Sequence, residues 1–211
     1  MIHELRTYTL KPGTQGEYLK HSGEVGRKIR GNDYGKLEGY WFTEFGSLNQ
    51  LVHLWSFADL NERERLRAEL GKNEAWNKEY VPKIRPILLA QENKILSAAL
   101  PLVPPTTTGN VYELRWYRAH VGQANAWLDL IKGVMPVVDR HMKRVGLWQT
   151  QIAQLNEVVH LWVYRDLNER AAARAKRGEE PEWQAFLAKS APLLAHMQSV
   201  ILIPTAFSPM K

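Results

Sequence analysis

Two histidines in this chain sit in nearly identical surroundings. His53-Leu54-Trp55-Ser56-Phe57-Ala58-Asp59-Leu60-Asn61-Glu62-Arg63 returns as His160-Leu161-Trp162-Val163-Tyr164-Arg165-Asp166-Leu167-Asn168-Glu169-Arg170. An imidazole has an ordinary pKa near 6.5, so His53 and His160 are the candidates for a catalytic base, or for the axial ligand of a haem. The competing reading is a hydrogen-bonded histidine packed beside its tryptophan, since satisfied buried polar groups outnumber catalytic ones.

A second repeated set offers binding chemistry. Glu4, Arg6 and Tyr8 reappear as Glu113, Arg115 and Tyr117 with the same alternate spacing. An arginine with a nearby phenol would hold an anionic or carbonyl group, and Trp55 and Trp162 would supply apolar contact. The competing reading is that each Glu pairs with an Arg, within its own strand or with the other copy, and fixes sheet register.

These residues require strands to present them and helices to cover them. Alternation over residues 2–10 and 111–117 predicts a first strand in each copy, with Glu, Arg and Tyr on one face. Gly13 and Gly122 mark turns, and apolar spacing from Tyr18 and from Trp127 predicts amphipathic helices. Pro136 falls inside the second of these, so a kink is expected there that the first copy lacks. Leu37 to Phe45 and its counterpart around Trp148 predict a second strand, joined by a tight turn to the His-Leu-Trp strand.

Asp59 with Glu62, and Asp166 with Glu169, form capping boxes that start the next helix. A further helical piece carries Trp76 or Trp183, with Pro181 in a first turn. Segments around Ile87 to Leu100 and Leu193 to Ile203 complete each copy as a fourth strand. The order is strand, helix, strand, strand, helix, strand, an α+β ferredoxin-like unit occurring twice. The units are expected at residues 1–100 and 109–211, with the proline-rich 101–108 as a semi-rigid linker.

Alternation also divides strand three, with His53, Trp55 and Phe57 opposite Val52, Leu54 and Ser56. The aliphatic face is expected beneath the helices. The charged and imidazole side chains would then face the space between the two sheets, and that space would hold the ligand.

Composition narrows the function classes. Among 211 residues there are 28 Lys and Arg against 22 Asp and Glu, giving a net charge of +6. The basic residues are interspersed with acidic ones and form no aromatic-basic module, which argues against nucleic-acid binding. No apolar run is long enough to span a bilayer, so a membrane partner is not expected. There is no cysteine, which removes thiolate ligands and disulfides and fits a reducing, cytoplasmic setting. No phosphate loop, zinc motif, nucleophile elbow or calcium loop is present, and no metal site is expected.

The Tyr-Glu-Leu-Arg-x-Tyr type opening (Tyr112 to Tyr117, and His3 to Tyr8 with histidine first), the His-Leu-Trp-x-aromatic-x-Asp-Leu-Asn-Glu-Arg stretch, and the later Glu74 to Trp76 and Glu182 to Trp183 resemble the NIPSNAP family. The resemblance spans nearly the whole chain, twice. It implies tandem domains whose sheets face each other as a dimeric-type α/β barrel, with undefined biochemistry. Related barrels include cofactor-independent monooxygenases, haem-degrading enzymes and small-ring isomerases, an analogy of fold only.

The leading expectation is therefore a barrel protein that binds a small, largely apolar molecule between its sheets and needs no cofactor. The alternatives are a cofactor-independent monooxygenase or isomerase using His53 or His160 as base, a haem-binding variant, and a homo-oligomeric assembly module joined through strand edges near Lys94 to Leu100 and Leu147 to Ile152. An enzyme would show one histidine, not both, in a pocket with a shifted pKa.

Overall fold

A computed structural model describes residues 1–211. The chain is of the expected α+β class, with eight strands that include the antiparallel sets β1-β3-β2 in the first copy and β8-β5-β7-β6 in the second. The strands are β1 (Ile2–Leu10), β2 (Lys36–Phe45), β3 (Gln50–Phe57), β4 (Leu88–Leu100), β5 (Val111–Ala119), β6 (Lys143–Ile152), β7 (Glu157–Tyr164) and β8 (Leu194–Pro204). No helix is long and apolar enough to cross a membrane.

The compact units depart from a linear split at residues 100 and 109. Met1–Ile95 joins Ile203–Lys211 in one unit, and Leu96–Leu202 forms the other. The proline-rich segment belongs to the second unit, where Val103 N–H donates to the Val145 carbonyl at 2.8 Å. The strand edges expected at Lys94 to Leu100 and Leu147 to Ile152 are not free, because β4 and β6 are hydrogen-bonded neighbours.

In the first unit, β1 and β2 both pair antiparallel with β3, placing Arg6 and Tyr40 on either side of His53. After β1, left-handed Gly13 (φ 82°) turns the chain into α1 (Gln15–His21). A wider π turn over Ser22–Gly26 follows, then α2 (Arg27–Arg30). Strand β3 runs into α3 (Leu60–Lys72), capped as the sequence implies: Glu62 N–H donates to Asp59 Oδ1 at 2.9 Å, and Glu62 accepts from Ala58 N–H at 2.5 Å. A second π turn, Trp76–Tyr80, leads into α4 (Val81–Ile84).

The unit's last segment comes from the end of the chain. Tyr40 N–H donates to Ser208 Oγ at 2.9 Å, Thr205 N–H donates to the Tyr40 carbonyl at 3.0 Å, and Phe207 packs edge-on against Tyr40 with ring centroids 5.0 Å apart.

In the second unit, β7 is flanked by β5 and β6, and β8 pairs along the other side of β5. Its helices are α5 (Ala124–Asp139), α6 (Leu167–Gly178) and α7 (Pro181–Ser190). The cap of α6 repeats that of α3, with Glu169 N–H donating to Asp166 Oδ1 at 2.7 Å. Helix α5 runs without interruption through Pro136, while the matching region of the first unit is divided by its π turn. The π-type irregularity thus lies in the copy without the proline.

The largest departure concerns the sheet faces. Tyr8, Leu10, Leu51, Trp55 and Phe57 pack in one cluster with Tyr18, Tyr80 and Ile84 from the helices. In the second unit Tyr117, Trp162 and Tyr164 pack with Trp127, Ile131 and Phe186. The helix-covered face is therefore the aromatic and charged one, and Leu5, Val52, Leu54 and their counterparts Leu114, Val159 and Leu161 lie on the opposite face. The physical reason lies in the helices. Tyr18, Ser22 and Arg30 point inward from the first helical region, and these match aromatic and polar partners better than aliphatic ones.

Candidate functional site

Each unit encloses a cavity between its sheet and its own helices. The first, about 570 Å³, is walled by Arg6, Tyr8, His53 and Trp55 from the sheet and by Tyr18, Ser22, Arg30 and Tyr80 from the helical side. The second, about 580 Å³, is walled by Arg115, Tyr117, His160 and Trp162 together with Trp127, Arg177, Trp183 and Phe186. Six of the eight proposed binding residues and both histidines thus line cavities. They do so on the helix side of each sheet, which corrects the expectation of a ligand held between the sheets.

Glu4 and Glu113 are the two that do not reach a cavity wall. Glu4 is wholly buried and bound by Arg63 of α3, whose Nε donates to Oε1 at 2.9 Å, with Arg6 Nε 3.4 Å from Oε2. Glu113 accepts at 2.6 Å from both Arg115 and Arg170 and at 3.4 Å from the Tyr164 hydroxyl. Burial alone would raise the Glu113 pKa, but the hydrogen bonds and charges of Arg170 and Arg115 overcome it and hold the carboxyl at about 2. These clusters tie the first strand to the capped helix and aim Arg6 and Arg115 along the sheet. Arg63 and Arg170 are the residues that reading the sequence as a capping signal missed. The signal was available, because both close the repeated Asp-Leu-Asn-Glu-Arg run.

The histidines have the same geometry in both units. Trp55 Nε1–H donates to His53 Nδ1 at 2.6 Å, and Trp162 Nε1–H donates to His160 Nδ1 at 2.6 Å. An indole nitrogen can only donate, so Nδ1 must be the accepting nitrogen and Nε2 must carry the hydrogen. Both Nε2 atoms are buried without a partner. Burial, then Arg6 and Arg30, lowers the His53 pKa well below 6.5, and burial, then Arg115, does the same for His160. Each ring is therefore a neutral donor, and its one lone pair is already engaged.

This arrangement removes the chemistry first considered for these residues. A general base needs a free lone pair facing the substrate, and here the one lone pair of each ring is held by an indole N–H while Nε2 is buried. A haem iron would need the Nε2 lone pair, forcing the hydrogen onto Nδ1 and into the indole N–H, so the residues present do not fit a haem. Both histidines are in cavities with shifted pKa values, so the asymmetry expected of a single catalytic site is absent. No cluster of three or more His, Asp or Glu side chains could hold a metal ion.

The walls around these rings differ. In the first unit Tyr40 stacks on His53 at 4.5 Å and 6°, and Tyr8 meets it edge-on at 4.7 Å. The Tyr40 hydroxyl donates to Tyr18 at 3.2 Å, and Ser22 and Tyr80 share a hydrogen bond of 2.8 Å. Burial raises the pKa of Tyr18 and Tyr40 well above 10, keeping these phenols neutral. The Arg30 guanidinium lies 3.4 Å over the Trp55 ring, and burial followed by Arg6 lowers its pKa to about 9.

In the second unit Leu147 occupies the place of Tyr40 opposite the histidine. Trp127, Ile131 and Phe186 replace Tyr18, Ser22 and Tyr80. His160 is bracketed by Tyr117 at 4.6 Å and Trp127 at 5.9 Å. Arg177 rests 3.8 Å over Trp183. Neither Arg30 nor Arg177 has a counterpart in the other copy, so internal repetition gave no sign of them.

Comparison with known proteins gives the family. The NIPSNAP family model matches residues 3–101 and again 112–209. Human Protein NipSnap homolog 3A is 32% identical over 216 residues, covering 100% of this chain and 86% of that protein. Protein NipSnap of Drosophila melanogaster is 26% identical over 223 residues, covering 99% of this chain and 78% of its own. A solved monooxygenase-like protein of Lactobacillus acidophilus NCFM superposes with a TM-score of 0.69 at 12% identity, covering 100% of this chain and 98% of that one. At that identity the likeness extends to the fold and not to an activity. With the family model matched twice, the repeated motifs and the sheet-and-helix units have one origin: this chain is a member of the NIPSNAP family.

Proposed function

We propose that this protein binds small, largely apolar organic molecules, one in the helix-side cavity of each unit. The observation that carries the reading is the matching cavity in each unit, walled by the same repeated arginine, tyrosine, histidine and tryptophan. Cavities of about 570 and 580 Å³ are of ordinary size for ligands with a few polar groups. The aromatic walls would supply the apolar contact, with Arg6, Tyr8 and Trp55, or Arg115, Tyr117 and Trp162, completing the site.

Native mass spectrometry of the purified protein and titration with anilinonaphthalene sulfonate test this. The expected result is a co-purifying mass or saturable probe emission, reduced several-fold by His53→Phe or His160→Phe, each affecting one class of site. A chain that carries nothing and binds no probe would remove the proposal. A catalytic reading has less support, because neither imidazole offers a lone pair to a substrate.

A further inference from the structure

We infer that the cavity of the second unit takes a monocarboxylate with an apolar aliphatic or aryl body, anchored by Arg177. This deepens the binding proposal above and rests on it.

Arg177 is 6% exposed, yet no carboxylate lies within ion-pairing distance of it. The only acceptor it reaches is the Met142 thioether, at 2.9 Å from one terminal nitrogen, and its Nε has no partner. A thioether is a weak acceptor for a guanidinium, and a buried cation without an anion is costly. The nearby charges make this worse. Arg115 and Arg174 also line the cavity, and after burial they are the causes that lower the Arg177 pKa to about 10. Glu113 cannot compensate, since its oxygens are taken by Arg115, Arg170 and Tyr164. No acidic side chain lines the cavity.

The rest of the wall sets the ligand's body. Trp127, Ile131, Val138, Trp162 and Phe186 present hydrocarbon and ring faces. One unneutralised cation matches the single charge of a carboxylate. A dianionic phosphate would keep a second charge against apolar walls, which disfavours it.

The test is a titration of the full chain with dodecanoate and with dodecanol, which share a tail and differ in head group, followed by tryptophan fluorescence. Dodecanoate should bind at least about tenfold more tightly, the scale of a charge-assisted hydrogen bond. Arg177→Met should abolish that preference and leave dodecanol affinity intact. If the variant does not fold, the unaltered protein gives the same information. Dodecanoate affinity should then fall as pH drops through about 4 to 5, with dodecanol unchanged. Equal affinities for the two, or a preference that survives Arg177→Met, would overturn the carboxylate inference and leave apolar binding standing. Binding of neither would overturn both.

Discussion

The two units carry the same histidine, tryptophan, tyrosine and arginine on the same strands, yet their cavities are chemically unlike. The difference comes from the helices. In the first unit two π turns, Ser22–Gly26 and Trp76–Tyr80, stand at the cavity, while the second has continuous helices in both places. One of these turns is visible as an inserted residue: Trp76 and Pro86 are ten positions apart, but Trp183 and Pro192 are nine. A π turn accommodates one extra residue in a helix without ending it. Gly26 lies under Tyr80, where an added Cβ would stand 2.7 Å from the ring. The irregular helices thus bring tyrosine hydroxyls over the histidine, and the regular ones bring tryptophan and phenylalanine. The lesson is that a repeated strand constellation supplies a common hydrogen-bond donor, and the helices above it decide what the donor faces.

The largest expected effect tests what the units share. Glu113→Gln should destabilise the chain by about 3 to 5 kcal/mol, because it leaves several arginines around a buried site without their anion. Glu4→Gln should cost less, since Glu4 Oε2 lacks a hydrogen-bond partner already and Arg6 stands 3.4 Å away. Urea denaturation measures both, and equal losses would show that the two clusters are energetically alike.

Acid should act next. Because both imidazoles are held neutral in the folded protein, the unfolded chain binds more protons below its ordinary pKa of 6.5. The stability they confer is complete above that pH and declines as pH falls below it, toward the lower folded values. The slope is at most about 1.4 kcal/mol per pH unit for each histidine. His53→Phe and His160→Phe should each remove about half of the slope that these two contribute, leaving the part due to His3, whose pKa burial also lowers. The Glu113 contribution, on the order of 3 kcal/mol from a pKa near 2 against an ordinary 4.5, is lost only at lower pH, from about 4.5 downward.

Replacing either indole donor should cost about 1 to 3 kcal/mol, through a lost hydrogen bond and a smaller ring. It should also free Nδ1, so Trp55→Phe and Trp162→Phe are expected to alter the tautomer of the adjacent imidazole, readable by nitrogen NMR. An unchanged tautomer would contradict the orienting role given to the indole. The smallest effects sharpen the contrast between the walls. Tyr40→Phe removes a hydroxyl bonded to Tyr18 at 3.2 Å and should cost about 1 kcal/mol. Phe186→Tyr introduces a hydroxyl without a partner beside Trp127 and should destabilise the second unit by a similar amount.

Much of the architecture could be read from the sequence because its signals are local. The doubled motif, the Asp and Glu caps and the strand alternation depend on neighbours in the chain, and the structure follows them closely. Alternation separated His53 and Trp55 from Val52 and Leu54 correctly, but it cannot say which set meets the helices. In the first unit, choosing the aliphatic set by hydrophobicity failed because Tyr18, Ser22 and Arg30 make the inner side of the first helical region polar and aromatic; in the second, α5 buries an apolar face against the same strand face, and its helix positions give no such sign. Reading the first unit's helix positions together with the strand would have given the right face. The tautomer imposed by Trp55 and Trp162 was beyond reach from spacing alone, since it depends on a contact of 2.6 Å between side chains two residues apart. Arg30 and Arg177 depend on long-range packing and have no repeated counterpart.

The return of residues 203–211 to the first unit has a consequence for biosynthesis. A ribosome finishes β1, β2 and β3 early, but Thr205, Phe207 and Ser208, which hold Tyr40 behind His53, emerge only after the whole of the second unit. The half of the protein made first is therefore the half completed last, and nascent chains arrested before Ile203 should leave Tyr40 open to protease while the Trp162 region is already protected.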